Sequence, residues 1–303
     1  MKLLLFTSQG ISRKLTEFFA RRKDVELTVV TQSTVRDRIY GYEPVAPYCE
    51  KQGIPCWQPK KLDDAFMEKA RAFKPDLIVA AYFPQIFPPA LLTLAPLGAY
   101  NVHPGDLPRY RGTFAIPWMI LNGETELTVT LHEIDAKVDT GRVLARRRSP
   151  IGAEETGFEL YGRAMHLSAD LLMDSFDALA AGKLPREAQS GHGSYFNRVE
   201  PRCRIDWHKP REQVRREVRV HAKPYLPAHS YLINRCLYID KVSPVESGAA
   251  TAQGAGFIAK VYPDKTFAVA CADGWLKVEK YDVYPPLDDA QFALHFVEGA
   301  RLD

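Results

Sequence analysis

The sequence predicts a two-domain α/β protein: a Rossmann-like open twisted sheet followed by a smaller C-terminal β-barrel of the OB-like kind. Three observations carry this. Apolar runs alternate with amphipathic helical segments across residues 3–181. A stretch rich in Gly, Pro, Ser and charge (185–202) then breaks the alternation, and beyond it short alternating strands with tight turns replace the helices. The 303 residues, 46% of them hydrophobic, are long enough for two cores. The expected division is 1–195 for the larger domain and 203–303 for the smaller.

Taken in order, LLLF (3–6) is a buried strand that stops at TSQG. SRKLTEFFARR (12–22) follows as a helix, with Leu15, Phe18 and Phe19 at helical spacing behind a Ser cap. VELTVVTQ (25–32) alternates as a strand, VAPYCEKQG (45–53) is a helix with a Gly stop, and IPCW (54–57) is a short strand. LDDAFMEKARAFK (62–74) is strongly helical, and DLIVAAYF (76–83) is a fully buried strand. LGAYNVHP (97–104) and LTVTLHEID (127–135) add two more strands before a long helix, 156–181, that ends at Gly182. In the second domain RIDWHKPREQVRREVRVHA (204–222) contains a short helix. YLINRCLYIDKVSPV, GFIAKVYP and FAVACADGWLKVEKYDVYP then read as strands with turns at NR, PDK and ADG. Alternating strands and helices imply parallel βαβ units, with a ligand crevice outside the carboxyl ends of the strands.

Composition excludes several function classes. Forty basic against 37 acidic residues give a formal charge of +3, too mild for a nucleic-acid or membrane surface without a clustered patch. Five cysteines with no C-x-x-C pair suggest reduced core thiols, with neither a disulfide framework nor a metal site. The N-terminal apolar run is only four residues, too short for a signal peptide, so a cytoplasmic location is expected. TSQGIS holds one glycine where a dinucleotide fingerprint needs three, and no P-loop motif occurs.

The strand ends carry the chemistry. Asn101 and His103 are two residues apart at the carboxyl end of a strand, so their side chains leave the same face. Pro104 and Pro108 force the chain out of the ladder, and Asp139 precedes a Thr-Gly turn after the next strand. An amide donor, an imidazole and a carboxylate suit acyl transfer to an amine without an enzyme nucleophile. Asn101 would stabilise the oxygen of a tetrahedral intermediate, His103 would move a proton, and Asp139 would orient the ring. Gly105 would allow a close backbone approach to substrate. The same residues also suit a purely structural role, Asn as a turn former and His as a capped strand end. The remaining histidines, His132 among them, lie at no useful spacing from a carboxylate or amide and are expected to be structural.

NVHPGDLPRYRGTFAIPWMILNGE (101–124) followed by TVTLHEIDAKVDTGRVL (128–144) resembles the formyltetrahydrofolate-dependent formyltransferase family. That family's pattern is N-x-H-x-S-L-L-P-x-x-x-G, then N-G, then a V-T-x-H strand leading to D-x-G or D-T-G. GIPCWQP, KPDLIVAAYF, RIDWHKP, YLPAHSYL and ACADGWLKVEK extend the likeness along the chain. The resemblance implies that Asn101, His103 and Asp139 are catalytic and that 10-formyltetrahydrofolate is the formyl donor. It further implies a pterin site between YFPQIFPP, with Tyr82, Phe83, Gln85, Ile86 and Phe87, and IDAKVD, with Ile134, Asp135 and Val138. The chain departs from the pattern where Gly105-Asp106 replace Ser-Leu.

Within the family, the length disfavours glycinamide ribonucleotide enzymes, and no basic run follows the second strand as methionyl-tRNA enzymes usually have. RREVRVHAK (215–223) is the one basic cluster. The RxYG element at Arg38–Gly41, AYFPQIFP and LPRYRGTFAIPWMILNGETE look most like the formyltransferase domain of the enzyme that modifies 4-amino-4-deoxyarabinose for lipid A. The expected acceptor is therefore a nucleotide-linked amino sugar, with Arg109 and Arg111 as diphosphate contacts beside Gly105. A methionyl-tRNA or hydroxyornithine acceptor, and a non-catalytic folate or nucleotide-sugar binding module, stay open, as does a homodimer. No nucleic-acid or membrane partner is expected.

Overall fold

The computed structural model describes residues 1–32, 41–196, 203–246 and 254–303; Arg36, Arg38 and the RxYG element before Gly41 lie outside these. The described residues form two compact units. The first comprises Met1–Ile116, Thr125–Ile151 and Tyr161–Asn197, and the second Pro117–Glu124, Gly152–Leu160 and Arg198–Asp303.

The first unit is built on a seven-stranded sheet in the order β3-β2-β1-β4-β5-β6-β7. The strands are β1 (Lys2–Thr7), β2 (Glu26–Val30), β3 (Cys56–Trp57), β4 (Leu77–Ala81), β5 (Ala99–His103), β6 (Glu126–Glu133) and β7 (Val143–Pro150). Strands β1 to β5 pair in parallel, and every residue from Leu3 to Phe6 and from Leu77 to Ala81 is buried, as apolar runs covered on both faces require. The helices between them are α1 (Ile11–Ala20), α2 (Val45–Gln52), α3 (Asp64–Phe73) and the single turn α4 (Pro89–Leu92). Asp63 caps α3 by accepting from the Phe66 N–H, and Gly53 ends α2 in the left-handed conformation. After α5 (Ala115–Leu121), β6 and β7 return antiparallel, so the sheet is mixed. The long helix α6 runs Gly157–Ala180.

This topology fixes where a ligand can sit. β2 lies on one side of β1 and β4 on the other, so the chain leaves β1 and β4 in opposite directions and opens a crevice past Thr7 and Ala81, which are register partners. Gln9 and Tyr82, the first residues to turn at those strand ends, both hold positive φ (66° and 56°) without being glycine. β5 ends in the same direction, at His103.

The second unit contains α7 (Arg211–His221), a five-stranded antiparallel sheet in the order β10-β11-β12-β9-β8, and α8 (Asp289–His295). Its strands are β8 (Ala228–Leu232), β9 (Arg235–Val245), β10 (Ile258–Val261), β11 (Phe267–Cys271) and β12 (Gly274–Tyr284). The C-terminal residues stitch the two sheet edges together: Leu302 bridges Leu232 of β8 and Arg301 bridges Phe257 beside β10. That closure supplies hydrogen-bond partners for edges otherwise open to mispairing. Inside, Trp207, Leu237, Ile239, Phe267 and Leu276 belong to one apolar core. All five cysteines are free thiols, and no described helix is long and apolar enough to cross a membrane.

Candidate active site

Asn101 and His103 leave the same face of β5, and the register of the next strand sets their neighbours. Asn101 stands opposite His132 and His103 opposite Thr130. The carbonyl of Glu133 accepts from His132 Nδ1 at 2.7 Å, which leaves Nε2 as an acceptor, and Asn101 Nδ2 donates to it at 3.1 Å. One amide hydrogen of Asn101 is spent in this way and the other is left to point elsewhere. His132 is buried, and burial above all holds its pKa down at about 4, so the ring is neutral at physiological pH.

His103 is also buried. A carbonyl can only accept, so the 2.6 Å contact from Nε2 to the Tyr110 carbonyl places a hydrogen on Nε2. Nδ1 of the ring faces Asp139 Oδ2 at 3.6 Å. The other oxygen of Asp139 lies 3.6 Å from His132 Nε2. One carboxylate thus stands between the two imidazoles.

The backbone around Asp139 is over-determined. Asp139 holds φ +53°, a conformation disfavoured for residues with a Cβ, and three donors fix it there. Gly112 N–H donates to Oδ2 at 2.9 Å, and Arg111 Nε and Gln189 Nε2 donate to its carbonyl at 3.1 and 2.9 Å; Gln189 also reaches the Gly141 carbonyl at 2.7 Å. Gly141 presses on the Glu133 carbonyl so closely that a Cβ would sit 1.9 Å from that oxygen, which is why the Asp-Thr-Gly turn ends in glycine.

Arg111 is engaged within the fold through Nε and Nη2: besides the Asp139 carbonyl it donates to Gln189 Oε1 at 3.2 and 2.7 Å. Arg109 is exposed and pairs with Asp106 at 3.3 Å, and Asp106 also faces Arg146 at 3.7 Å, which occupies the carboxylate that departs from the family pattern. Gly105 is packed against the site itself. A Cβ there would lie 2.5 Å from both His103 Nε2 and the Tyr110 carbonyl, so its close approach is to the imidazole. Thr130 Oγ1 donates to the Gly105 carbonyl at 2.6 Å and holds the turn.

The two loops expected to hold a pterin converge on one apolar cluster, against which Phe83, Phe87 and Ile134 pack half-buried. Phe83 and Phe87 also meet the Phe6 ring, at 5.2 and 4.4 Å. Ile86 is 79% exposed and Val138 42%, leaving apolar surface uncovered on both loops. A cleft of about 400 Å³ beside the second loop is lined by Leu92, Ala99, Ile134 and Gly141 together with Glu133, Asp135, Arg142 and Arg186; it is largely polar, and neither the YFPQIFPP residues nor Asn101, His103 and Asp139 line it. Asp135 Oδ1 accepts from Thr140 Oγ1 and Lys137 N and so shapes the turn. Gln85 is tied to Leu62 N, Gln32 and the Lys60 carbonyl. Tyr82 turns toward α6, its hydroxyl 3.3 Å from Ser168 Oγ, and burial raises the phenol's pKa.

Sequence spacing had placed His132 among structural histidines. The structure corrects this: β6 runs antiparallel to β5, which sets His132 opposite Asn101, a register that no linear spacing encodes. The V-T-x-H of the strand was the available signal. The Tyr161 hydroxyl donates to Gln9 Oε1 at the crevice, joining α6 to the turn after β1.

Residues 12–175 match the family model described as formyl transferase, and residues 200–284 match the model of its C-terminal domain. The methionyl-tRNA formyltransferase of Geobacter metallireducens is 35% identical over 297 residues, 95% of this chain and 92% of that protein. That of Citrifermentans bemidjiense is 37% identical over 210 residues, covering 68% of this chain and 66% of its own length. That of Trichlorobacter lovleyi is 39% identical, and the chain spans 57% of its length. In fold, the chain is similar to the Helicobacter canadensis N-formyltransferase solved with folinic acid and dTDP-3-aminofucose (TM-score 0.75, 19% identity, 93% of this chain and 99% of that one). It is similar too to WlaRD, a sugar 3N-formyl transferase solved with dTDP and 5-N-formyl-THF (TM-score 0.73, 17% identity, 93% and 97%).

Proposed function

Since the chain belongs to the formyl transferase family, we propose that it is an N-formyltransferase carrying the formyl group of 10-formyltetrahydrofolate to the amine of a nucleotide-linked amino sugar. When bound, the donor supplies an electrophilic formyl carbon. Asn101 directs its second amide hydrogen at the oxygen that becomes negative as the amine adds; losing one such donor elsewhere costs about 2.7–4 kcal/mol. His103 takes the proton released by the attacking amine and returns it to the departing nitrogen, and Asp139 stabilises the imidazolium in between. His132 keeps Asn101 turned to the reacting carbon. Phe83, Phe87, Ile134 and Val138 exclude water around the donor ring.

The observation that favours a sugar acceptor is the state of the one basic cluster. Arg215 pairs with Glu212 and Glu154, Arg216 with Glu212, and Lys223 with Asp240 and Asp282, so three of the cluster's four Arg and Lys side chains are paired within the chain and only Arg219 is without a carboxylate among the described residues. A surface that tracks RNA phosphates needs open cations in a row. Methionyl-tRNA is the second reading, supported by the 35% identity that spans 92% of the Geobacter enzyme. Competition kinetics decide between them. The sugar reading expects a nucleotide-linked amino sugar to gain one formyl mass with an efficiency on the order of a hundredfold above methionyl-tRNA. Preference for the tRNA overturns the acceptor and leaves the chemistry standing.

A further inference from the structure

The second unit contains a cleft of about 380 Å³ that includes none of the residues assigned above to formyl transfer. Apolar Phe158, Val218 and Val242 line it together with Arg219 of α7, Lys241 of β9 and Lys280 of β12. Its volume falls in the range of small-molecule sites.

Arg219 stands apart from the other arginines of α7. Arg211, Arg215 and Arg216 each pair with a carboxylate, from Asp273, Glu154 or Glu212. Arg219 is half-buried and donates only to the carbonyls of Glu155 and Gly152, at 2.9 and 3.0 Å; among the described residues no carboxylate pairs with it. Burial, and after it the positive charge of Arg215, lower its pKa. Glu154, Glu212 and Glu155 oppose this from a distance, but none forms an ion pair with the guanidinium, and a partly desolvated cation with no direct counter-ion is costly, a cost that an anion in the cleft removes.

Lys280 gives a second, independent sign. It sits at a register irregularity in β12, directly opposite Lys241 of β9. Like charges facing each other on neighbouring strands destabilise a sheet, and irregularities of this kind re-aim side chains beside binding sites. Lys241 is balanced by Glu279 at 2.9 Å, whereas Lys280 has no ion-pair partner among the described residues. The carboxylates of the cleft are already engaged. Glu154 pairs with Arg215, Glu159 accepts from Thr156 N and Oγ1 at 2.9 Å, and Asp240 Oδ2 lies 3.0 Å from Lys223 Nζ. That last contact is an ion pair outside hydrogen-bonding angles, since the same oxygen is buried with no hydrogen-bond partner. Glu159 has only neutral partners and keeps its charge, so among the described residues two cations without ion pairs, Arg219 and Lys280, stand against one such carboxylate and the balance of the cleft is positive.

We propose that this cleft binds a phosphorylated small molecule, the phosphate held by Arg219 and Lys280 and the carbon body packed against Phe158 and Val218. A guanidinium presents paired N–H groups that match phosphate oxygens, and an ammonium adds a point charge. Sugar phosphates and nucleotides share this chemistry. The site belongs to the second unit alone, so it holds whichever amine the first unit formylates.

Hydrogen–deuterium exchange on the full chain tests it, with ribose 5-phosphate, AMP, inorganic phosphate, unphosphorylated ribose and a short RNA hairpin as probes. Ribose 5-phosphate or AMP is expected to slow exchange saturably in residues 154–159, 218–223 and 240–242, the better of the two revealing the preferred body. Inorganic phosphate should do so more weakly, and ribose not at all. Lys280→Glu, an exposed change, should weaken the effect about fivefold or more while exchange in residues 99–112 stays as in the wild type. Absence of protection by either organic phosphate, protection unchanged in Lys280→Glu, or protection by the RNA alone overturns the proposal.

Discussion

Asn101 and His132 are joined side chain to side chain, amide Nδ2 to imidazole Nε2 at 3.1 Å, across strands that set the two residues opposite each other. The bond fixes which way the Asn101 amide faces. Asn101→Ala is expected to lower turnover on the order of a hundredfold with donor affinity kept, because the lost interaction belongs to the transition state. His132→Phe keeps the bulk and removes the acceptor, and should lower kcat about tenfold with the donor KM within about twofold. Wild-type kcat in that variant would show that His132 is only packing.

His132 also ties stability to pH. The unfolded chain takes up a proton here near pH 6.5, whereas the folded chain refuses it until about pH 4. Between those values the unfolded state binds more protons, so stability falls as pH is lowered, by about 3 kcal/mol at pH 4 from this group. Urea midpoints from pH 7 to pH 4.5 should drop less steeply in His132→Phe than in the wild type, and parallel slopes would refute the assignment.

His103 is predicted to be the proton carrier. His103→Asn should abolish turnover with folding and donor binding nearly unchanged, measured by single-turnover kinetics and folate titration. Activity within about tenfold of wild type would remove His103 from the mechanism.

Gly105 should prove essential for a reason other than substrate approach. A Cβ at this position intrudes at 2.5 Å on the bond between His103 Nε2 and the Tyr110 carbonyl. Gly105→Ala is expected to lower kcat at least about tenfold by turning the His103 ring, with acceptor KM little changed. A change confined to KM would return Gly105 to the substrate.

Arg111 discriminates between a ligand contact and a scaffold. It braces the Asp139 carbonyl and Gln189, so Arg111→Lys should reduce kcat about tenfold and leave acceptor KM within about twofold. A large rise in acceptor KM at constant kcat would show instead that the guanidinium meets the diphosphate.

The sequence by itself determined the alternation of strands and helices, because burial on both faces of a parallel sheet leaves continuous apolar runs such as Leu3–Phe6 and Leu77–Ala81. It also set Asn101 and His103 on one face, since that relation needs only the two-residue period of a strand. The tertiary structure alone decided what those side chains meet. The antiparallel return of β6 brought His132 to Asn101, and the Gly141 turn swung Asp139 between two imidazoles. It also bent Arg111 back onto the Asp139 carbonyl and closed the C-terminal sheet with residues 301–302. These are contacts between residues far apart in the chain, fixed by strand order, register and competition for hydrogen-bond partners, and local periodicity carries no information about any of the three.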